Sequence, residues 1–427
     1  MSTSMGYHTF VKSKNLTQEE ATILYEDFKK YRNNTKQICI IGPHKYAKDP
    51  SGRHYDIVYP NQYKGLTWKI RFSNKGFYTN GEFKPCSIKV IINPKTLIGE
   101  KSYIVAADAS YLEDIKKVFE YEAEKISSIL RGFNTYSLNR IDYCINFDVS
   151  EIKLGYLSER RNDLPKMIMQ LIKCGDIPDH FKEEYEDLYQ FYLKSNSVVI
   201  NCYWKHDDLS RNFPDCIDLD RSYNIIRFEV QFRYPKVYAK TIEIKKEQEN
   251  RRLLVWDEVR KQGLGDFFES ADRKGEEKFK EMMNTLSLDE VEVMKTMLSD
   301  EKCSEVIDSY FYKVVKHGDY YAFKIARRII EEKVSKWEKV IRLTDAMQMI
   351  HDHGGIAKAK ATLQGKKLED FRRSLRELEA LEINPVTIPE EWGIKYIPDL
   401  FKINFYVDAE RRRKELKEKG WVQMIND

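Results

Sequence analysis

The feature that most constrains the fold is a strict alternation of apolar and polar residues between Asn139 and Asp148. Successive side chains of a β-strand point to opposite faces, so this pattern predicts a strand with one buried and one polar face. The apolar face carries Ile141, Tyr143, Ile145 and Phe147, and the other face carries Asp142, Cys144, Asn146 and Asp148. Any fold of this chain must therefore pack another layer of structure against the apolar face of this strand.

Two later segments show the same division of faces. Both are rich in β-branched and aromatic residues, which favour strands. In the segment 198–205 the polar face carries Asn201, Tyr203 and Lys205. In the segment 226–233 it carries Arg227, Glu229, Gln231 and Arg233. The sequence therefore predicts three strands that each have one polar face.

The remaining N-terminal pattern mixes strands and helices. Short strands are predicted near 7–11, 37–41, 55–59, 67–72 and 87–92, and helices at 17–31, 111–130, 156–173 and 181–193. No regular alternation of strand and helix is present, which argues against a parallel βαβ fold. We therefore predict the α+β class, with a mostly antiparallel, curved sheet and flanking helices.

After Tyr238 the composition shifts and the sequence pattern becomes mainly that of helices, so we predict two domains, at 1–256 and 257–427. Three short helices at 346–350, 356–363 and 368–381 have the rhythm of a helix-turn-helix or winged helix. A solvated helical bundle explains the pattern equally well. The second and third helices carry the basic residues Lys358, Lys360, Lys366, Lys367, Arg372, Arg373 and Arg376.

Composition restricts the class of protein. The net charge of the 427 residues is only +4, so charge alone does not indicate a nucleic-acid partner. Seven scattered cysteines without a Cys-x-x-Cys pair predict reduced thiols and no zinc site. No apolar run approaches a membrane span, and no signal-peptide core is present at 1–14. These features predict a cytoplasmic protein with no membrane partner.

The polar faces predict a site if the three strands are neighbours. Asp142, Asn146, Asp148, Glu229 and Gln231 would then lie near Tyr203 and Lys205. Carboxylate and amide oxygens without His or Cys suit a hard cation such as Mg²⁺ or Mn²⁺. A phenol beside such a cation suits attack on phosphorus, with the Lys205 ammonium offsetting phosphate charge.

Each residue also has an ordinary structural explanation. Asp142 could pair with Arg140 at the surface, and Glu229 could match the charge of a cross-strand arginine. The only His-x-His of the sequence, at 351–353, is interpreted as a solvated helix end rather than a metal motif. Tyr234 and Tyr238 remain alternative nucleophiles, since Tyr238 also has a lysine two residues later.

The segment from Arg140 to Asp148 resembles the Arg-hydrophobe-Asp strand of rolling-circle replication initiators from staphylococcal-type plasmids. Related conjugative relaxases and filamentous-phage-like replication proteins of Gram-positive bacteria share this strand. The segment 200–205 is similar to the family strand around the nicking tyrosine, and the segment 226–230 to its Arg-hydrophobe-Glu strand. The segment 89–95, which ends in an Asn-Pro turn, is similar to the strand before the first motif.

The resemblance implies a DNA nickase without a His-hydrophobe-His metal motif. Tyr203 would attack a phosphodiester at a replication origin, leaving a 5′-phosphotyrosine and a free 3′-OH. Asp142 and Glu229 would be the metal carboxylates. Asn146 stands where the family usually has a second acid, so Asp148 or Gln231 would substitute for it.

The partner implied is origin DNA in single-stranded, cruciform or supercoiled form, with a host helicase and a homodimer as further candidates. The residues expected to contact DNA are Arg227, Arg233, Lys358, Lys360, Arg372, Arg373 and Arg376. Two alternatives stay open. One is a conjugative or mobilisation relaxase with the same chemistry, and the other is a DNA-binding protein that does not nick.

Overall fold

The structure is a computed structural model of the 427-residue chain. It describes residues 5–44, 53–59, 64–72, 78–79, 82–83, 86–99, 103–152, 163–187, 189–261 and 290–401. The predicted C-terminal domain is therefore described only in part, since 262–289 and 402–427 lie outside these ranges. No helix within them has the length and apolar character needed to cross a membrane.

The N-terminal half contains twelve of the described strands. The strands are β1 Met5–Leu16, β2 Cys39–His44, β3 His54–Val58, β4 Leu66–Arg71, β5 Tyr78–Thr79, β6 Glu82–Phe83, β7 Cys86–Ile92, β8 Ser137–Asp148, β9 Lys182–Asp187, β10 Gln190–Lys194, β11 Val198–Trp204 and β12 Ile225–Phe232. The helices of this half are α1 Gln18–Thr35, α2 Pro94–Leu97, α3 Leu112–Ile126, α4 Leu164–Lys173, α5 Lys205–Asn212 and α6 Tyr234–Lys261.

The C-terminal part is mainly helical. Its elements are α7 Glu290–Met297, α8 Asp300–Val315, β13 Tyr320–Tyr321, α9 Phe323–Lys333, α10 Trp337–His353, α11 Ile356–Ala361, α12 Gly365–Ala380 and β14 Tyr396–Ile397. A large antiparallel sheet, flanking helices and a helical C-terminal region confirm the α+β prediction.

Ten of the described strands form one sheet in the order β2-β3-β4-β7-β1-β8-β12-β11-β10-β9. Every named pairing in it is antiparallel. The three strands predicted to carry polar faces, β8, β12 and β11, are adjacent at its centre. Their side chains on one face therefore form continuous rows across three strands.

The predicted helix at 181–193 is wrong, because β9 and β10 form a hairpin there. The backbone N–H of Tyr189 donates to Asp187 Oδ1 at 2.7 Å in the turn. β10 pairs with β11 and places Tyr192 opposite Asn201. Without this hairpin β11 would be an exposed edge of the sheet, so strand pairing overrides the local helical tendency.

One face of the sheet is covered by helices. Trp68 of β4 contacts Phe28 of α1 and Phe119 of α3, with ring centroids 6.3 and 5.4 Å apart. On the central strands, Phe311 of α8 contacts Phe147 and Phe228 at 5.0 and 5.2 Å. A helix from the C-terminal part therefore completes the core of the N-terminal sheet.

The helices α10, α11 and α12 correspond to the three predicted short helices, although α10 begins earlier. The strands on either side of the helices α9–α12, β13 and β14, pair with each other. Between residues 290 and 401 no β-hairpin wing follows α12. The geometry is thus helix-turn-helix-like without the hairpin of a winged helix.

This helical region is docked directly on the sheet domain. The N–H of Ile356 donates to the carbonyl of Cys174 at 2.8 Å, and Lys360 Nζ lies 2.7 Å from Asp176 Oδ1. A Cβ on Gly175 would clash with the carbonyl of Val314, so the backbones meet without room for a side chain. The predicted division at 256 stays a prediction, and apolar packing continues across it.

We predict that Phe311→Ala lowers the stability of both regions together. Phe311 is fully buried, so its removal should cost about 3–5 kcal/mol of unfolding free energy. Urea unfolding followed by circular dichroism and tryptophan fluorescence should show one transition shifted to lower urea. Ile341→Ala, at a position 43% exposed, should change stability by less than about 0.5 kcal/mol. Two separate transitions would contradict the shared core.

Candidate active site on the polar face of the central strands

The register of the sheet places the predicted site residues in rows. One row contains Tyr203, Arg227 and Asn146, and the next contains Asn201, Glu229 and Cys144. A third row places Gln231 beside Asp142. Because the rows are two residues apart along each strand, their side chains all point to the polar face.

Tyr203 and Glu229 are joined by a hydrogen bond. The Tyr203 hydroxyl donates to Glu229 Oε1 at 2.8 Å. Tyr203 is 9% exposed, and burial together with the Glu229 carboxylate raises the pKa of its phenol well above the ordinary value. The phenol is therefore neutral at pH 7 and has a carboxylate in place to accept its proton.

Asp142 is a buried acid that is only partly compensated. Arg140 donates to its Oδ2 at 2.8 Å, whereas Oδ1 is buried without a hydrogen-bond partner. Burial, with a further contribution from Glu229, raises the pKa of Asp142 to about 6, and Arg140 and Gln231 oppose the shift. Such an uncompensated oxygen costs stability and is typical of a functional position.

Arg227 organises the row beside Tyr203. Its side chain is fully buried, and Nε donates to Asn146 Oδ1 at 2.7 Å. Nη2 donates to the backbone carbonyls of Tyr103 and Ile104 at 2.9 and 2.7 Å. Nη1 lies 3.8 Å from Glu229 Oε1 and has no hydrogen-bond partner. Arg227 was expected to contact DNA, but in this conformation solvent does not reach it.

Lys205 differs from its predicted position on the strand. It is the first residue of α5, directly after β11, and its Nζ lies 2.6 Å from Asp208 Oδ2. The same Nζ lies 5.5 Å from the centre of the Tyr203 ring. Burial and the Arg227 charge lower the pKa of Lys205, and Asp208 opposes this.

Two of the predicted metal ligands already have hydrogen-bond partners within the protein. Asp148 Oδ1 accepts hydrogen bonds from the N–H and hydroxyl of Ser150, at 3.0 and 2.6 Å. Asn146 Oδ1 accepts a hydrogen bond from Arg227 Nε, and Asn146 Nδ2 donates to the Ile104 carbonyl. Within the described ranges, no group of three or more His, Cys, Asp or Glu side chains is placed to hold a metal.

The remaining donors, Asp142, Glu229 and Gln231, nevertheless fit a hard divalent cation. The unpartnered Asp142 Oδ1 is an oxygen that needs a positive neighbour. Mg²⁺ is usually held by one or two carboxylates, and water and substrate phosphates complete its coordination. The chemistry of this donor set is therefore compatible with a hard divalent cation.

His8 is a site-face residue that sequence reasoning missed. The register between β1 and β8 shifts between Tyr7/Tyr143 and Thr9/Asp142, so His8 is an extra residue in a β-bulge. Burial and the cations Arg227, Lys205 and Arg140 lower its pKa well below the ordinary value. A bulge depends on strand pairing, so no local sequence signal could have revealed it.

The predicted DNA-contacting residues differ in exposure. Lys358 and Arg376 are exposed on α11 and α12. Lys360 is half-buried against Asp176, Arg372 lies 3.9 Å from Asp179 Oδ2, and Arg373 lies 2.6 Å from Asp370 Oδ1. Arg233 is half-buried at the end of β12. The exposed cations of the helical region therefore include Lys358, Lys366, Lys367, Arg372, Arg373 and Arg376.

The alternative nucleophiles lie on α6 rather than on the strands. Tyr234 and Tyr238 are 56% and 55% exposed, and their rings stack with centroids 5.9 Å apart. Lys240, two residues after Tyr238, pairs with Glu243 at 2.7 Å. These tyrosines are more accessible than Tyr203, but within the described residues neither hydroxyl has a hydrogen bond to a carboxylate.

Comparison with known proteins gives little. No family model and no curated protein matches the chain. Among solved structures, a rolling-circle replication initiator protein from Geobacillus stearothermophilus matches 59% of this chain and 84% of that chain. The identity is 10% and the TM-score is 0.27, which is too low to carry an argument about fold or function.

We predict that Asp142→Asn changes the pH dependence of stability. Folding raises the pKa of Asp142 from 3.8 to about 6, so the protonated acid favours the folded state below pH 4. That advantage is lost as the pH rises to 6, at a cost of about 2–3 kcal/mol. The difference in unfolding free energy between wild type and variant should therefore change by this amount between pH 4 and 7. Urea titrations measure it, and a pH-independent difference would contradict the raised pKa.

Proposed function

We propose that this protein is a DNA nickase of the rolling-circle initiation type, with Tyr203 as its nucleophile. The observation that carries the proposal is the 2.8 Å hydrogen bond from the Tyr203 hydroxyl to Glu229, on the same face as the buried Asp142. A nucleophile beside its proton acceptor is the arrangement that covalent catalysis requires.

The proposed step transfers a phosphoryl group from one oxygen to another. A bond forms between Tyr203 Oη and phosphorus, and the bond from phosphorus to the 3′ oxygen breaks. Glu229 takes the phenolic proton, and that proton returns through solvent water to the departing 3′ oxygen, which becomes the free 3′-OH. The product is a 5′-phosphotyrosine, so the energy of the broken bond is retained for strand rejoining.

The polar residues of this face would have two roles, metal binding and positioning of the reacting groups. Asp142, Gln231 and the Glu229 oxygen that does not accept from Tyr203 would hold Mg²⁺ or Mn²⁺, which when bound would supply positive charge to the phosphate oxygens. Arg227 Nη1, at 3.8 Å from Glu229 Oε1, helps to keep that carboxylate beside Tyr203. Lys205 holds its ammonium near the phenol ring.

A DNA-binding protein without nicking activity is the second candidate. The burial of Tyr203, and the raised pKa that follows, favour it, because a phenol that cannot meet a phosphate cannot react. Tyr234 and Tyr238 offer a third outcome, in which the reacting phenol lies on α6.

We predict that Tyr203→Phe abolishes nicking. Removal of the nucleophile should lower the rate at least about a thousandfold. The assay uses supercoiled plasmid that carries the DNA flanking this gene, with Mn²⁺, and mass mapping of the DNA-linked peptide. Tyr234→Phe and Tyr238→Phe are matched controls and should nick within about twofold of wild type. An adduct on α6, or normal nicking by Tyr203→Phe, would refute the assignment.

We propose that α11 and α12 contact the DNA backbone, and we predict an effect on salt dependence. Each lost phosphate contact should reduce the slope of log affinity against log salt by about 1. Lys358→Ala and Arg376→Ala each remove one exposed cation. Lys117→Ala, on α3 with a side chain 76% exposed, is the control and should leave the slope unchanged. Fluorescence anisotropy over a salt series measures it, and unchanged slopes in both variants would exclude this surface. Point variants are preferred to truncation, since α8 completes the sheet core.

A further inference from the structure

The segment Tyr103–Ala107, which we call the strap, crosses the polar face. At one end Ala107 forms a bridge with Tyr7 of β1, with N–H···O distances of 2.8 and 3.0 Å. At the other end the N–H of Tyr103 donates to Asp218 Oδ2 at 2.7 Å, and its ring stacks on Phe213 at 4.6 Å. The strap is thus held at one end by β1 and at the other by the segment between α5 and β12.

Between these ends, backbone carbonyls of the strap accept hydrogen bonds from Arg227. The carbonyls of Tyr103 and Ile104 both accept from Nη2, and Asn146 adds a hydrogen bond to the Ile104 carbonyl. Nη1 stays buried without a hydrogen-bond partner. Arg227 Nη2 donates to two oxygens at once, and the same two N–H groups could donate to two oxygens of a phosphate.

We propose that the strap masks a phosphodiester-binding site at Arg227, and that a DNA phosphate takes the place of the two strap carbonyls. This inference rests on the proposed function, because it assigns DNA as the ligand of the same face. Arg227 shares its row with Tyr203, so strap release would open the face next to the nucleophile. The apparent affinity for DNA is then reduced by the fraction of molecules in which the strap is closed.

Gly6 of β1 lies directly against the strap. Gly6 pairs with Cys144, on the polar face, and a Cβ there would clash with the Ala107 carbonyl and lie 3.1 Å from Ala106 Cβ. The φ of Gly6 is not in the left-handed region, so alanine is compatible with the strand itself. Gly6→Ala therefore disfavours the closed strap without altering Arg227.

The experiment uses the full chain carrying Tyr203→Phe, which prevents covalent capture, and a mixed-sequence single-stranded oligonucleotide as the probe. Hydrogen exchange should show faster exchange in peptide 103–107 for Gly6→Ala, and for wild type when the oligonucleotide is added. Anisotropy should show binding at least about threefold tighter for Gly6→Ala, because the closed state no longer competes. Phe213→Ala, which loosens the other end, should act in the same direction.

Gly99→Ala is the control, since a Cβ there meets no atom within 4 Å, while its φ of +88° makes the change destabilising without contact with the strap. It should leave strap exchange and affinity unchanged. A loosened strap with unchanged or weaker oligonucleotide binding overturns the masking proposal. If Gly6→Ala speeds strap exchange and tightens oligonucleotide binding while the wild-type protein never nicks DNA, the masking proposal stands. That result would refute only the proposal that the protein is a nickase.

Discussion

The structure depends on the pairing of three central strands whose side chains alternate with a period of two. β8, β12 and β11 bury one face against helices, and Phe311 of α8 lies at the centre of that packing. Because one face is buried in the core, the charged residues of these strands that form the site lie on the opposite face. The grouping of Tyr203, Glu229 and Asp142 is therefore a consequence of how the core is packed.

That grouping has an energetic cost. Asp142, Lys205 and Arg227 are all buried, and two of their polar atoms lack hydrogen-bond partners. A chain selected for stability alone would place apolar residues there, since isolated buried charges are unfavourable. On the polar face, buried charged groups lack some of their hydrogen-bond partners, whereas the opposite face is a packed apolar core. This difference between the two faces is expected of a site that binds a ligand.

The sequence anticipated the central elements well. The alternation at 139–148 is long enough to specify both strand and face, and β12 and β11 follow the same rule. It failed at 181–193, where pairing with β11 decides the structure, and at Lys205, where the strand ends and α5 begins. Arg227 could not be read as an internal organiser, because its partners at 103–104 and Asn146 are distant along the chain.

What the sequence by itself determined is which residues share a strand face, because side-chain direction follows from local periodicity. Only the tertiary structure decided which strands are neighbours, where the His8 bulge falls and which donors already have partners. It also decided that the strap 103–107 lies over Arg227 and that α8 completes the core. These features arise from contacts between residues far apart in the chain, and such contacts depend on shape and burial rather than on local pattern.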